Sequence, residues 1–221
     1  MNEALFFIHI LFVMLLTFAA LRIGKEALVA LSALQAVISN LFVLKQMVLF
    51  SWNVTCSDVY AVGTILSLNL VQEYFGKDAA KRSIWISFFG MFFFGLMSQL
   101  HLLYAPSPYD AGQSHFQFLL NPAPRLLLAS WIAFFTVQHT DLYFFGFLKK
   151  TLNGLSWKWR NLLSLLLSQL LDTFLFTFLG LWGTVASLGS IIAFSLTLKL
   201  LIIFSITSLT ALAKRFSPHE V

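Results

Sequence analysis

The sequence has little cysteine and little charge. Of its 221 residues, one is cysteine, Cys56, and 10% are Asp, Glu, Lys or Arg. A lone cysteine excludes an intrachain disulfide and a thiolate metal cluster. A soluble domain of this length needs far more polar surface than this. Because 59% of the residues are hydrophobic and the mean hydropathy is +0.84, the composition indicates a polytopic membrane protein.

Several functional motifs are also missing. The five His show no HxxxH or HxxE spacing, so we expect no metal site. There is no GxxxxGK[ST] motif, and no Ser/His/Asp constellation supports an intramembrane enzyme. The net charge of +5 is scattered over short loops, which favours membrane topology over nucleic-acid binding. We therefore expect no enzyme activity, no cofactor and no nucleic-acid partner.

Apolar segments dominate the chain, and seven of them are long enough to span or nearly span a bilayer. They run from about 4 to 21, 27 to 44, 54 to 74, 83 to 104, 125 to 147, 160 to 182 and 187 to 213. The first lacks a basic n-region and a small-x-small cleavage site, so we interpret it as a mature helix. The pattern predicts an all-α membrane bundle of about seven helices in a single domain, 1–221.

Basic residues collect in alternate loops. Those that follow the odd-numbered segments are Arg22, Lys25, Lys77, Lys81, Arg82, Lys149, Lys150, Lys158, Arg160, Lys214 and Arg215. Lys45 and Arg125 lie opposite, and Lys199 lies within the last segment. Cytoplasmic loops are enriched in Lys and Arg, so the N-terminus is predicted outside and the C-terminus in the cytoplasm.

The sixth segment, 160–182, carries an acid at its centre, Asp172. A central Asp opposes insertion by about 3 kcal/mol, but each Leu or Phe favours it by about 0.5 kcal/mol, and the segment has ten Leu and three Phe. Asn161, Ser164, Ser168 and Asp172 share one face, with Gln169 beside it. The serines are typical of interhelical hydrogen bonding. A buried intramembrane acid favours a functional role.

Other segments offer polar faces as well. Ser32, Gln35 and Ser39 lie along the second segment, with Asn40 adjacent. Residues 51–76 are polar for a span and contain Gly63, which is typical of a cavity lining or a broken helix. Asp58, Asn69 and Glu73 fall on one face there, and Lys77 is an available i+4 partner for Glu73.

The fifth and seventh segments add ionisable groups. Ser130, Phe134, Gln138 and Asp141 form a second polar stripe, and Ser195 and Lys199 lie one turn apart. Asp141, Asp172 and Lys199 could meet inside the bundle if their helices are neighbours. A pair of Asp172 and Lys199 with no ligand role is the alternative, because intramembrane charges commonly pair.

In their order and spacing these residues resemble the queuosine precursor transporter family, membrane proteins associated with uptake of deazaguanine bases for tRNA modification. The resemblance runs from about Ser39 to Lys214. Its elements are Ser39-Asn40; Glu73-Tyr74-Phe75-Gly76 with Ala79-Ala80-Lys81-Arg82; Arg125, Ala129-Ser130, Gln138 and Asp141; Arg160-Asn161, Ser164 and Asp172-Thr173; and Lys199. It implies a six-helix core at 27–216 and an extra N-terminal helix at 1–26.

The resemblance implies a site for a small deazaguanine base such as queuine. A carboxylate, Asp172 or Asp141, would accept from the donor edge of the base, amides would bind its other polar atoms, and an aromatic ring would stack on it. Where family members often have Thr-Asp, this chain has Leu68-Asn69. The predicted substrate-binding residues are Asn40, Asn69, Gln138, Asp141, Gln169, Asp172 and Lys199, with Ser39, Glu73, Arg125, Ser130, Asn161 and Ser164 in support.

The sequence is compatible with two functions. The leading one is a transporter in the cell inner membrane, and the alternative is the substrate-binding subunit of a multi-component vitamin or nucleobase importer. Because the chain has no phosphate-binding loop, the alternative requires a partner ATPase. The lipid bilayer is the other expected partner, and a homodimer is left open.

Overall fold

This computed structural model describes residues 1–43, 45–55, 57–121, 124–152, 154–183 and 188–209. Cys56 and the basic residues Lys214 and Arg215 lie outside the described residues. Within the described ranges the chain forms eight α-helices and one β-hairpin. They are α1 (Asn2–Ile23), α2 (Lys25–Phe42), β1 (Gln46–Leu49), β2 (Trp52–Thr55), α3 (Ser57–Phe75), α4 (Lys77–Leu102), α5 (Gln113–Leu120), α6 (Pro124–Thr151), α7 (Trp157–Phe176) with a π-helical turn (Thr177–Leu181), and α8 (Leu188–Leu209).

The long helices match the seven predicted segments. Every helix except α5 has 18 to 28 residues, and each coincides with one apolar segment. Four of them, α1, α2, α4 and α7 with its π-helical turn, are long and apolar enough to cross a membrane. The apolar part of α8, Ile191–Thr207, is shorter. The prediction of an all-α polytopic membrane bundle is confirmed.

Three local features differ from the predicted segments. Residues 46–55 form an antiparallel hairpin, with Met47 opposite Val54, before α3 begins. The connection between the fourth and fifth predicted segments, residues 105–124, contains the short helix α5. Helix α4 begins at Lys77, earlier than predicted. Gly76 at φ +87° ends α3, and the charged residues that follow it form the first turn of α4. A positive φ of this kind favours glycine.

Helix α3 is the centre of the bundle. It packs against α1, α2, α4, α6, α7 and α8, so protein surrounds its polar residues instead of lipid. The helix runs unbroken through Gly63, and the broken-helix alternative is therefore wrong. A Cβ at Gly63 would lie 2.8 Å from Oε1 of Gln35 and 3.0 Å from Cγ1 of Val13. The glycine is required where α1 and α2 approach α3 closely.

The two ends of the bundle differ in chemistry. Four helices begin at the hairpin end, namely α1, α3, α6 and α8, and three end there, namely α2, α4 and α7. The start of α1 contacts the hairpin directly, since Nδ2 of Asn2 donates to the carbonyl of Val48 at 2.8 Å. At the opposite, basic end, Glu73 of α3 contacts Lys149 of α6 and Arg160 of α7. Successive long helices thus run antiparallel to each other.

Candidate substrate-binding cavity

A cavity of about 500 Å³ lies in the half of the bundle nearest the hairpin end. It is lined by α2, α3, α6, α7 and α8 along their hairpin-end halves, and by Met91 of α4. Small-molecule sites usually measure about 300 to 1,000 Å³, so the volume suits a heterocyclic ligand. The polar side chains in the lining are Ser39, Asn40, Ser57, Asp58, Thr64, Ser130, Gln138, Gln169, Asp172, Thr173, Thr177, Ser195 and Lys199.

Three charged side chains from three helices meet at this cavity: Asp58 of α3, Asp172 of α7 and Lys199 of α8. We call them the charge cluster. Nζ of Lys199 donates to Oδ2 of Asp172 at 2.6 Å and to Oγ1 of Thr173 at 3.0 Å. It lies 3.7 Å from Oδ1 of Asp58. The cluster joins α3, α7 and α8 electrostatically around one ammonium group.

The pair of Asp172 and Lys199 that the sequence raised as an alternative is present, and it lies in the cavity lining. The Lys199 side chain is 4% exposed, whereas those of Asp58 and Asp172 are 15% and 26% exposed. The carboxylates are therefore the accessible members of the cluster. The expectation that Asp141 would join them is wrong, because Asp58 is the second carboxylate beside Lys199.

Two glutamines present unpartnered amide atoms in the same lining. Gln138 of α6 is 3% exposed and Gln169 of α7 is 2% exposed. Among the described residues, Oε1 of Gln138 and both Nε2 and Oε1 of Gln169 have no hydrogen-bond partner. Buried polar atoms are normally hydrogen-bonded. Unpaired amides in a cavity are therefore suited to a polar ligand.

Asn40 and two serines complete the part of the predicted site that the cavity brings together. Nδ2 of Asn40 donates to the carbonyl of Ala36 at 3.1 Å. Oγ of Ser39 donates to the carbonyl of Ser57 at 3.3 Å, which joins α2 to the start of α3. Ser130 of α6 also lines the cavity. Of the seven predicted substrate-binding residues, the lining contains Asn40, Gln138, Gln169, Asp172 and Lys199.

Asn69 and Asp141 lie elsewhere, in a packed polar layer between the cavity and the basic end. Asn69 is fully buried, and its Nδ2 donates to Oδ1 of Asn161 at 3.0 Å. Asp141 is also fully buried and accepts hydrogen bonds from Ser164 at 2.6 Å and Ser168 at 2.7 Å. These contacts join α3 to α7 and α6 to α7. The layer thus holds α3, α6 and α7 together between the cavity and the basic end.

Glu73 forms a bridge at the basic end, with different partners from the one that sequence spacing suggested. Its Oε1 accepts from Arg160 at 2.9 Å, and its Oε2 lies 3.1 Å from Nζ of Lys149. The i+4 partner Lys77 instead lies over the ring of Tyr143, 4.3 Å from its centroid. The i+4 rule fails here because the Gly76 turn separates the two helices.

Arg125, the remaining supporting residue, lies outside the cavity lining. Its Nε donates to the carbonyl of Leu179 at 2.8 Å and ties the start of α6 to the π-helical turn after α7. That turn borders the cavity through Thr177 and Leu181. Arg125 therefore holds part of the wall in place.

Asp58 lines the cavity, although the sequence did not place it among the predicted substrate-binding residues. It shares a helical face with Asn69, but the 11 positions between them span roughly 16 Å along the helix axis. The two side chains therefore lie at different depths, one in the cavity and the other in the packed layer. An ionisable residue within a predicted span was the available signal.

Comparisons with known proteins agree with this architecture. Residues 55–213 match the family described as "Putative vitamin uptake transporter". The chain is 29% identical over 182 residues to a protein of Bacillus subtilis (strain 168) named "Probable queuosine precursor transporter". The matched region covers 80% of this chain and 79% of that protein. No solved structure matches the chain. The division into a core and an extra N-terminal helix stays a prediction.

These matches favour transport over the binding-subunit alternative, since both the family and the relative are named as transporters. The family match covers well over half of the chain and includes every helix of the charge cluster. A helical bundle with a polar cavity inside is also the architecture that such a function requires. The chain belongs to the vitamin uptake transporter family and is a multi-pass membrane transporter.

Proposed function

We propose that this protein imports queuosine precursors, queuine or related 7-deazaguanine bases, across the cell inner membrane for tRNA modification. The observation that carries the proposal is the cavity, in which a charge cluster and unpartnered amides surround a volume suited to a base. The name of the Bacillus subtilis relative supports the choice of substrate.

The chemistry of the cavity fits a deazaguanine. Its amidine-like edge carries donors that a carboxylate accepts in bidentate fashion, and Asp172 is the most exposed member of the charge cluster. The base carbonyl requires a donor, which Nε2 of Gln169 can supply. Phe134 and Phe176 line the cavity and offer apolar surfaces for the ring. Gln138, Asn40 and Lys199 complete the proposed contacts.

Asn69 and Asp141 take a different part in this proposal. Both lie in the packed layer, and their partners are Asn161, Ser164 and Ser168. We therefore assign them to closing the route from the cavity to the basic end. They would contact substrate only in a conformation in which that layer separates, as alternating access requires.

The charge pattern supports an orientation for import. The basic end carries most of the Lys and Arg residues, so we assign it to the cytoplasm, with the N-terminus outside. The cavity then lies in the outer half of the bundle, where it would receive substrate from outside. The bridge of Glu73 to Lys149 and Arg160 lies on the cytoplasmic side.

Uptake of labelled queuine tests the proposal in cells that lack their own queuosine precursor transporter. We expect uptake that depends on this protein and is strongly reduced in Asp172→Asn. Asp78→Asn is the matched control, since Asp78 is an exposed acid in the first turn of α4, and it should transport normally. No uptake above background, with the protein folded in the membrane, would exclude queuine as the substrate.

A further inference from the structure

The cavity lining holds one more carboxylate than cations. Asp58 and Asp172 face the single ammonium of Lys199, and the lining contains no other charged side chain in the part of the chain that the structure describes. The formal charge of the lining is therefore negative. An uncompensated charge is unfavourable inside a membrane protein, so such a charge is commonly retained to bind an ion or a substrate.

The excess charge belongs to Asp58 on geometric grounds. Lys199 is committed to Asp172, since Nζ donates at 2.6 Å to its carboxylate. The separation of 3.7 Å from Asp58 is longer than a direct hydrogen bond. The Asp58 side chain is 15% exposed, and it lines the cavity. It can accept a charge-assisted hydrogen bond from a ligand without breaking the pair of Asp172 and Lys199.

The same cavity contains sites for the neutral part of such a ligand. Gln138 and Gln169 are almost completely buried, and Oε1 of Gln138 and both amide atoms of Gln169 have no hydrogen-bond partner among the described residues. Together with Asp172 they can hydrogen-bond the edge of a heterocycle. This leaves Asp58, on a different helix, for a group outside the ring.

We infer that the cavity selects a cationic substrate, a planar base with a protonated amine on a side arm, and that Asp58 binds the ammonium group. The inference rests on the proposed function, and it identifies the charged members of the deazaguanine class as the preferred substrates. An alkyl amine is protonated near pH 7, as the Lys side chain is. Its charge would neutralise the excess carboxylate, whereas an uncharged base would leave the negative charge of the lining uncompensated.

A matched pair of deazaguanines tests the inference. Unlabelled 7-aminomethyl-7-deazaguanine, which is cationic, and 7-cyano-7-deazaguanine, which is neutral, compete with labelled queuine for uptake. We expect the aminomethyl compound to compete at roughly 10-fold or more lower concentration, the effect of one charge-assisted hydrogen bond. Asp58→Asn should remove this preference by weakening only the cationic compound. Asp58→Glu should keep it, and Asp78→Asn should change neither.

Purified protein gives a second measurement for variants that bind but do not transport. Thermal stabilisation by each compound should show the same preference in the wild type and its loss in Asp58→Asn. Equal competition by both compounds in the wild type would overturn the inference while leaving queuine transport intact. Equal loss of both compounds in folded Asp58→Asn would also overturn it. Failure of the wild-type protein to take up queuine would instead count against the proposed function.

Discussion

Replacing Asp172 with Asn separates a substrate ligand from a structural counter-ion. The variant keeps the size of the side chain but removes the charge that pairs with Lys199 at 2.6 Å. Lys199 still has Asp58 at 3.7 Å. At an effective dielectric constant of about 20, opposite charges about 4 Å apart attract by about 4 kcal/mol. The ammonium is therefore not stranded, and we expect Asp172→Asn to reach the membrane in normal amounts.

The expected loss lies in substrate affinity. A charge-assisted bidentate contact contributes about 2 to 3 kcal/mol, which corresponds to about a 30- to 150-fold change in affinity. Initial rates of queuine uptake over a range of concentrations measure this change. Size-exclusion chromatography of the detergent-extracted protein measures the folded fraction separately. An Asp172→Asn protein that is absent or aggregated would refute the argument that Asp58 is a sufficient counter-ion.

Removing the cation gives the opposite result. Lys199→Met leaves Asp58 and Asp172 facing each other without their ammonium, and stranding buried charge costs about 3 to 5 kcal/mol. We expect little folded protein. Combining Asp58→Asn, Asp172→Asn and Lys199→Met removes all three charges and should restore folding but not uptake. If this triple variant transports queuine normally, the three residues only neutralise one another and Asp172 is not a ligand.

Other contacts give further predictions. Gly63→Ala places a Cβ 2.8 Å from a buried glutamine oxygen and should destabilise the protein by about 1 to 3 kcal/mol in thermal unfolding, whereas Gly154→Ala, with nothing within 4 Å, should not. Glu73→Gln breaks a two-cation bridge and should lower the melting temperature, whereas Lys77→Met should have little effect; equal effects would favour the i+4 pairing. In a background without the native cysteine, Tyr109→Cys should react with an impermeant thiol reagent in intact cells, and a C-terminal tag should stay inaccessible; the reverse would invert the topology.

The sequence by itself determined where the long helices lie along the chain and which of them carry polar residues. Long apolar segments form helices in a membrane because no other open structure satisfies the backbone there, so the seven segments could be recognised from length and composition. The alternation of basic loops then predicted which helix ends lie on the same side of the membrane. The cavity residues Gln169 and Asp172 were also found, because amides and acids are rare in such helices and are retained for a reason.

Tertiary structure alone decided which polar residues share a site. Periodicity describes rotation about one helix axis, so Asp58, Asn69 and Glu73 were predicted on one face of α3. Their depths and partners depend on which helices pack around α3. The packing places Asp58 beside Lys199, Asn69 beside Asn161 and Glu73 between Lys149 and Arg160. These partners lie about 75 to 140 positions away along the chain, beyond the reach of any local pattern. For the same reason Asp141, which the sequence grouped with Asp172, pairs instead with Ser164 and Ser168.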